Sequence, residues 1–139
     1  MGILGSTGSY AYLTRDQRRR VTIMAKQHAG SIPVMVCVGA VSTDAVLHLA
    51  DDAQAAGADA LLLPAVSYQS LLDEEVFSLF ETVTRHVSVP VCIYDNPGTT
   101  HFTFTDELHG RLSSLEKVHS VKIPGVPDSP TAATEQIGR

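Results

Sequence analysis

Five short apolar runs recur along the chain, beginning near residues 2, 33, 58, 90 and 118. That rhythm constrains the fold more than any other feature. Each interval, about 25 to 32 residues, has room for one strand, one helix and the turns that join them. The runs, over 2–4, 33–38, 58–63, 90–94 and 118–124, are nearly all apolar, as in strands covered on both faces. The last reads as a buried strand of β-branched residues stopped by Pro124.

The segments between them carry helix signals. Thr14 as N-cap and Gln17 as its capping-box partner predict a helix over 14–27 that Gly30 ends. Ser42 and Thr43 cap a second over 44–56, with Ala45, Leu49, Ala53 and Ala56 on its apolar side and Gly57 as its stop. A third spans 73–86, where Val76, Phe77, Phe80 and Val83 recur at helical spacing, and a fourth spans 105–112. Segments 64–72 and 95–100 read as loops. Strands alternating with helices at this period give an α/β fold with a parallel sheet and right-handed crossovers. It is either open and doubly wound or part of a (β/α)8 barrel, and in both, function gathers at the carboxyl ends of the strands.

The length, 139 residues, suits one domain, and 44% hydrophobic with 18% charged residues supports a core. A formal charge of −5 argues against a nucleic-acid or anionic-membrane surface. The basic cluster Arg15, Arg18, Arg19 and Arg20 has Asp16 among it and reads as a solvated helix face or a subunit contact. Cys37 and Cys92 lie inside apolar runs, as free thiols acting as small hydrophobes do. The start lacks a signal-peptide pattern, and no run reaches the roughly 18 apolar residues of a membrane span. The expectation is a cytoplasmic protein. The histidines show no ligand spacing, so no metal and no cofactor is expected.

Chemistry-bearing residues fall unevenly. The strand beginnings are plain, whereas the carboxyl ends are followed by Ser6 and Thr7, by Gly39, by Ser67 and Tyr68, by Tyr94-Asp95-Asn96, and by Lys122. Lys122, flanked by Val121 and Ile123, can reach water at the strand's end or be desolvated into a Schiff-base nucleophile. Gly5-Ser6-Thr7-Gly8 can cradle a carboxylate or phosphate, or form only a tight turn. Tyr94 can exchange a proton with a nearby group, or be a strand aromatic with its hydroxyl at the rim. Taken together, an amine for a ketone, hydroxyls for an adjacent carboxylate and a phenol for proton transfer fit a 2-oxo acid.

Gly5-Ser6-Thr7-Gly8 with Leu13-Thr14, the run from Gly57 through Leu62, the run from Tyr94 through Thr100, and Ser120-Val121-Lys122 share an order and spacing. In both the chain resembles the dihydrodipicolinate synthase / N-acetylneuraminate lyase family over nearly its whole length. The resemblance implies a (β/α)8 barrel, usually a homotetramer, and a class I aldolase or lyase acting on pyruvate or a related 2-oxo acid. It implies Lys122 as the Schiff-base lysine and Tyr94 as the proton-transfer tyrosine. Ser6 and Thr7 would hold the carboxylate, with Thr7 also in the proton relay, and Tyr68 would enter a neighbouring subunit's site. Two departures stand out. Ser9 replaces a usual glutamate, and Thr99 stands near the place of an arginine that grips the second substrate's carboxylate. This argues against true dihydrodipicolinate synthase activity.

Counted against that barrel, the runs match strands two to six. Residues 1–139 are therefore expected to form a single, incomplete barrel domain with two long apolar edges. The alternatives are a catalytically silent fragment that assembles with another chain, and a flavodoxin-like phospho-receiver module. The second would need acidic residues where Gly5-Ser6 and Leu63-Pro64 stand.

Overall fold

The computed structural model describes residues 1–124. The single-domain expectation over 1–139 extends past them. The chain runs β1 (Gly2–Ile3), a 3-10 turn (Tyr10–Tyr12), α1 (Arg15–Ala29), β2 (Met35–Cys37), α2 (Thr43–Ala55) and β3 (Ala60–Pro64). It continues through α3 (Asp73–His86), β4 (Val91–Tyr94), α4 (Pro97–Thr100), α5 (Asp106–Ser113) and β5 (Val118–Lys122). All pairings are parallel and the strand order is sequential, β1-β2-β3-β4-β5. A flavodoxin-like module would instead interchange its first two strands. Sequential order without reversal is what an arc of a (β/α)8 barrel requires, so the phospho-receiver alternative fails on topology.

The helix starts follow the capping chemistry in the sequence. Gln17 N–H donates to Thr14 Oγ1 at 3.1 Å and Gln17 Oε1 accepts from Thr14 N–H at 2.9 Å. Ser42 Oγ accepts from Ala45 N–H, and Thr105 Oγ1 from Leu108 N–H, each at 3.1 Å. Each such cap is worth about 1 kcal/mol. The α3 face is as expected except that Phe77 is only half-buried, while Val76, Phe80 and Val83 are sealed. On α2 the buried stripe is Val46, Ala50 and Ala53, not the Ala45, Leu49 and Ala56 face. Leu49 and Leu47 flank the stripe and pack against the core. Small alanines on several sides leave the helical phase ambiguous in sequence, and contact with the sheet resolves it.

Alternation along the strands separates two faces. Val34, Val36, Leu61, Leu63, Val91 and Ile93 point outward under the helices and are fully buried. Burying each large aliphatic side chain stabilises the fold by about 1.5–3 kcal/mol. Phe80 and Phe104 seal this layer edge-to-face, with ring centroids 6.2 Å apart. The inner residues Met35, Leu62, Tyr94 and Lys122 border an open hollow.

Two expectations about the sheet are corrected. β5 is not buried: His119 through Lys122 are exposed, because β5 is the edge strand among the described residues and its inner face looks into the hollow. Nor are both edges long and apolar. β1 has two residues, and β5 carries His119, Ser120 and Lys122, polar groups that blunt an edge.

The basic cluster also divides. Arg15, Arg19 and Arg20 pair with Asp52 or Asp16 at the surface. Arg18 turns inward, is 6% exposed, and donates to the Gly39 and Cys37 carbonyls at 2.8 and 2.9 Å. Its guanidinium lies 5.4 Å from the Tyr10 ring centroid. A planar donor fork suits two neighbouring carbonyls at the end of β2. Gly39 is required at this crowded point, since a Cβ would collide with the Pro64 ring and approach Tyr10 Cε2 to 3.0 Å. No described helix is long and apolar enough to cross a membrane.

Burial pushes the Tyr10 phenol up to about 12, reinforced by Cys37 and Tyr94 and opposed by Arg18. A tyrosine in the unfolded chain ionises near 10. The folded chain therefore holds the proton longer, and this contribution to stability is complete below pH 10 and lost as pH rises through about 12. Tyr10→Phe should flatten the fall in urea-melt stability across that interval. An equally steep fall in the variant would assign the loss to other groups.

Candidate active site

The β4–β5 register pairs Tyr94 with Lys122, the last residue of each strand. In adjacent parallel strands, paired residues project to the same face. Both side chains thus enter the hollow, and Lys122 Nζ sits 4.5 Å from the Tyr94 ring centroid. The Lys122 residue is exposed, whereas Tyr94 is 3% exposed.

The turn after β1 reaches the same place. Leu4 at φ 61° and Ser9 at φ 57° bend it tightly, in a region few side chains adopt. Gly8 sits at the closest approach, where a Cβ would lie 3.1 Å from Leu4 Cα and push that backbone by a few tenths of an ångström. Held so, Ser6 Oγ is 3.0 Å from the Tyr94 hydroxyl, and Ser6 N–H donates to that hydroxyl at 3.4 Å. Asn96 Nδ2 donates to it at 3.4 Å, and Ser6 Oγ is 3.3 Å from Thr99 Oγ1. Burial alone would raise the Tyr94 phenol. The hydrogen bonds from Ser6 and Asn96, with the nearby Lys122 charge, outweigh it and hold the phenol below the ordinary tyrosine value.

Ser6, Thr7, Tyr94 and Lys122 therefore share one open hollow of about 460 Å³. Thr7 is exposed at its wall. Tyr68 is not with them. It is 96% exposed and borders a separate hollow with Ser67, Thr100, His101 and Phe102. The contacts with Tyr94 and Ser6 add Asn96 and Thr99 to the site; in sequence the segment after Tyr94 reads mainly as turn chemistry, with Thr99 notable only as a departure from the family. The available signal was proximity, since both follow a strand-ending tyrosine by only a few residues. The burial of Arg18 is not legible locally, since it stands in one run with the surface charges Arg15, Asp16, Arg19 and Arg20.

This arrangement can place an electrophilic carbonyl beside an exposed amine, a carboxylate against hydroxyls and backbone N–H groups, and a proton on a phenol of lowered affinity. The inner wall near it is apolar, with Leu62 and Met35, and the register puts the buried free thiols Cys37 and Cys92 on the same face of the sheet as Leu62. Burial pushes the Cys37 thiol up to about 11, against the Gly39 N–H and the Arg18 and Lys122 charges. A thiol so held stays protonated near neutral pH and is a poor nucleophile there.

Comparison with known proteins places the chain in a family. The model of the dihydrodipicolinate synthetase family matches residues 1–127. The 4-hydroxy-tetrahydrodipicolinate synthase of Desulfotalea psychrophila is 31% identical over 119 residues, 85% of this chain and 40% of that protein. The chain thus spans about 40% of the length of the curated relatives it matches. Among solved structures, dihydrodipicolinate synthase from Agrobacterium tumefaciens is 46% identical with a TM-score of 0.87, covering 92% of this chain and 43% of that one. YagE from E. coli K12, solved with pyruvate, is 25% identical with a TM-score of 0.86, covering 98% and 47%. The five parallel strands, four of them followed by a helix among the described residues, are an arc of that family's TIM barrel, and the chain belongs to the dihydrodipicolinate synthetase family.

Proposed function

We propose that this arc carries the catalytic centre of a Schiff-base-forming aldolase or lyase acting on pyruvate or a related 2-oxo acid. The observation that carries this reading is the pairing of Lys122 with Tyr94 at adjacent strand ends, with Ser6 bonded to the tyrosine hydroxyl. The pyruvate held by the related YagE supports the substrate class.

In this reading the Lys122 amine adds to the ketone carbon of the 2-oxo acid. Loss of water leaves an iminium ion, which acts as an electron sink. The substrate carboxylate is held by Ser6 and Thr7. Removal of a proton from the adjacent carbon gives an enamine, which adds to a second carbonyl compound. The reverse direction breaks that carbon–carbon bond, and hydrolysis of the imine restores the amine. Tyr94, with Ser6 and Thr7 as neighbours, carries protons to and from these centres. No metal or cofactor takes part in this scheme.

Thr99 gives a second element of the proposal. A hydroxyl 3.3 Å from Ser6 Oγ stands where a bidentate arginine would be needed for a second carboxylate. The acceptor is therefore neutral at that end, unlike the substrate of a true dihydrodipicolinate synthase. The relatives that bear that enzyme's name are the competing argument. Tyr68 belongs to the proposal as a residue offered to a neighbouring subunit of a cytoplasmic homotetramer, and its full exposure supports this.

A second reading is favoured by the exposure of Lys122 and the open inner face. The chain alone is then silent, and acts only where the rest of a barrel closes over the amine.

Borohydride reduction in the presence of pyruvate should add one pyruvate-derived group to Lys122, located by peptide mass mapping. An unmodified Lys122 in a folded protein with the complete barrel would overturn the Schiff-base reading. An adduct there but not in the isolated chain would favour the second reading. Tyr94→Phe should slow turnover by about 10²- to 10⁴-fold with a much smaller effect on pyruvate binding. Equal losses in both would make Tyr94 a binding residue. Thr99→Arg should shift preference from neutral toward carboxylate-bearing acceptors, measured as a ratio of kcat/KM values. An unchanged ratio would remove Thr99 from acceptor choice.

A further inference from the structure

Directly behind Tyr94, on the opposite face of the sheet, is a buried aspartate–histidine pair that the proposed chemistry does not use. Asp95 is 5% exposed, and its carboxylate Oδ2 lies 3.1 Å from His109 Nε2. The two side chains are 8% and 13% exposed. The His109 ring stacks on Phe104 with centroids 5.2 Å apart and planes 23° apart, and Phe104 in turn meets Phe102 and Phe80 edge-to-face. A carboxylate in such apolar surroundings is costly unless hydrogen-bonded. The His109 N–H is the one side-chain hydrogen bond the Asp95 carboxylate has among the described residues.

The backbone shows what this anchor holds. Asp95 N–H donates to the Lys122 carbonyl at 2.9 Å, the last rung of the β4–β5 ladder. The residues on either side of Asp95 are Tyr94, whose hydroxyl faces the site, and Asn96, whose side chain donates to that hydroxyl. One residue thus ties the lysine strand, the tyrosine and the amide together. Its orientation is set from α5 by His109.

We propose that His109 is a positioning residue for the Tyr94–Lys122 pair, acting through the Asp95 carboxylate. It rests on the reading of those two residues as the working pair. A carboxylate oxygen only accepts, so the contact requires an Nε2–H that His109 donates to Asp95, while the buried Nδ1 has no hydrogen-bond partner among the described residues. The role of His109 is then that of a fixed donor rather than an acid or base, and a neutral donor of similar reach can replace it.

The test compares His109→Leu, which fills space against Phe104 without a donor, with His109→Gln, which keeps an N–H at a similar distance. Two quantities are read: the rate of pyruvate trapping by borohydride, and the titration midpoint of Tyr94 followed by its ¹³C-labelled Cζ. His109→Leu should trap about tenfold more slowly, with half-saturating pyruvate changed less than about twofold, and its Tyr94 midpoint should rise. His109→Gln should restore both. Should His109→Leu not fold, the double variant Asp95→Asn/His109→Leu removes the unpaired buried charge and should show the same slow trapping and raised midpoint. A folded leucine or double variant with wild-type trapping and an unmoved Tyr94 midpoint overturns the proposal, as does a loss that glutamine does not repair. If the wild-type chain forms no adduct, the Tyr94 midpoint decides alone: a rise in the leucine variant reversed by glutamine supports positioning while the Schiff-base reading fails.

Discussion

The candidate site depends on a single register, the parallel pairing of β4 with β5 that sets Tyr94 opposite Lys122. A slip of one residue would turn every β5 side chain to the other face. Lys122 would then face the helices, away from the hydroxyls of Ser6 and Thr99. Several interactions converge on that register. The Asp95 N–H bond to the Lys122 carbonyl closes it at the top; below a one-residue shift between Val91 and Cys92, the Val91 N–H bond to the Lys117 carbonyl joins the two strands at 2.8 Å. Lys117 in turn satisfies the carbonyls of Thr84 and Val87 at the end of α3. The outward-facing Val91 and Ile93, sealed under helices, make any slip costly in buried apolar area.

The two faces of the sheet are under different physical demands. Outside, packing against helices decides, and the residues are interchangeable in kind: valines, leucines and isoleucines at alternate positions. Inside, the upper end is shaped by a few polar contacts that would be expensive to lose. Arg18 secures the end of β2 through two carbonyls, and Gly39 lets Pro64 and Tyr10 close over it. The strained turn at Leu4 brings Ser6 across to Tyr94, residues 88 positions apart. Stability of the outer layer therefore underwrites precision at the inner one.

Much of this was legible in the chain itself. The strand–helix rhythm, the Thr14–Gln17 capping box and the full extent of α3 follow from local chemistry, and all are present. So is the gathering of Ser6, Thr7, Tyr94 and Lys122, because every carboxyl end of a parallel sheet lies on one side. Less legible was anything that depends on a neighbour distant in sequence. The inward turn of Arg18 is decided by carbonyls at the end of β2, and the Asp95–His109 pair by the packing of α5 behind β4. The buried phase of α2 could not be read from a helix whose alanines lie on several sides.

The sequence by itself determined the repeat, the polarity of the sheet and the set of reactive groups at its carboxyl end, since these follow from periodicity and from right-handed crossovers. Only the tertiary structure decided the strand order, which separates an arc of a barrel from a doubly wound sheet. It alone also decided the exposure of β5 and the separation of Tyr68 from the other candidates. Those outcomes turn on which surfaces meet, and burial is a property of the pair of surfaces rather than of either stretch of chain. The same tertiary pairing that makes Tyr94 a hydrogen-bonded, buried phenol leaves the Lys122 side chain at the rim of an open hollow.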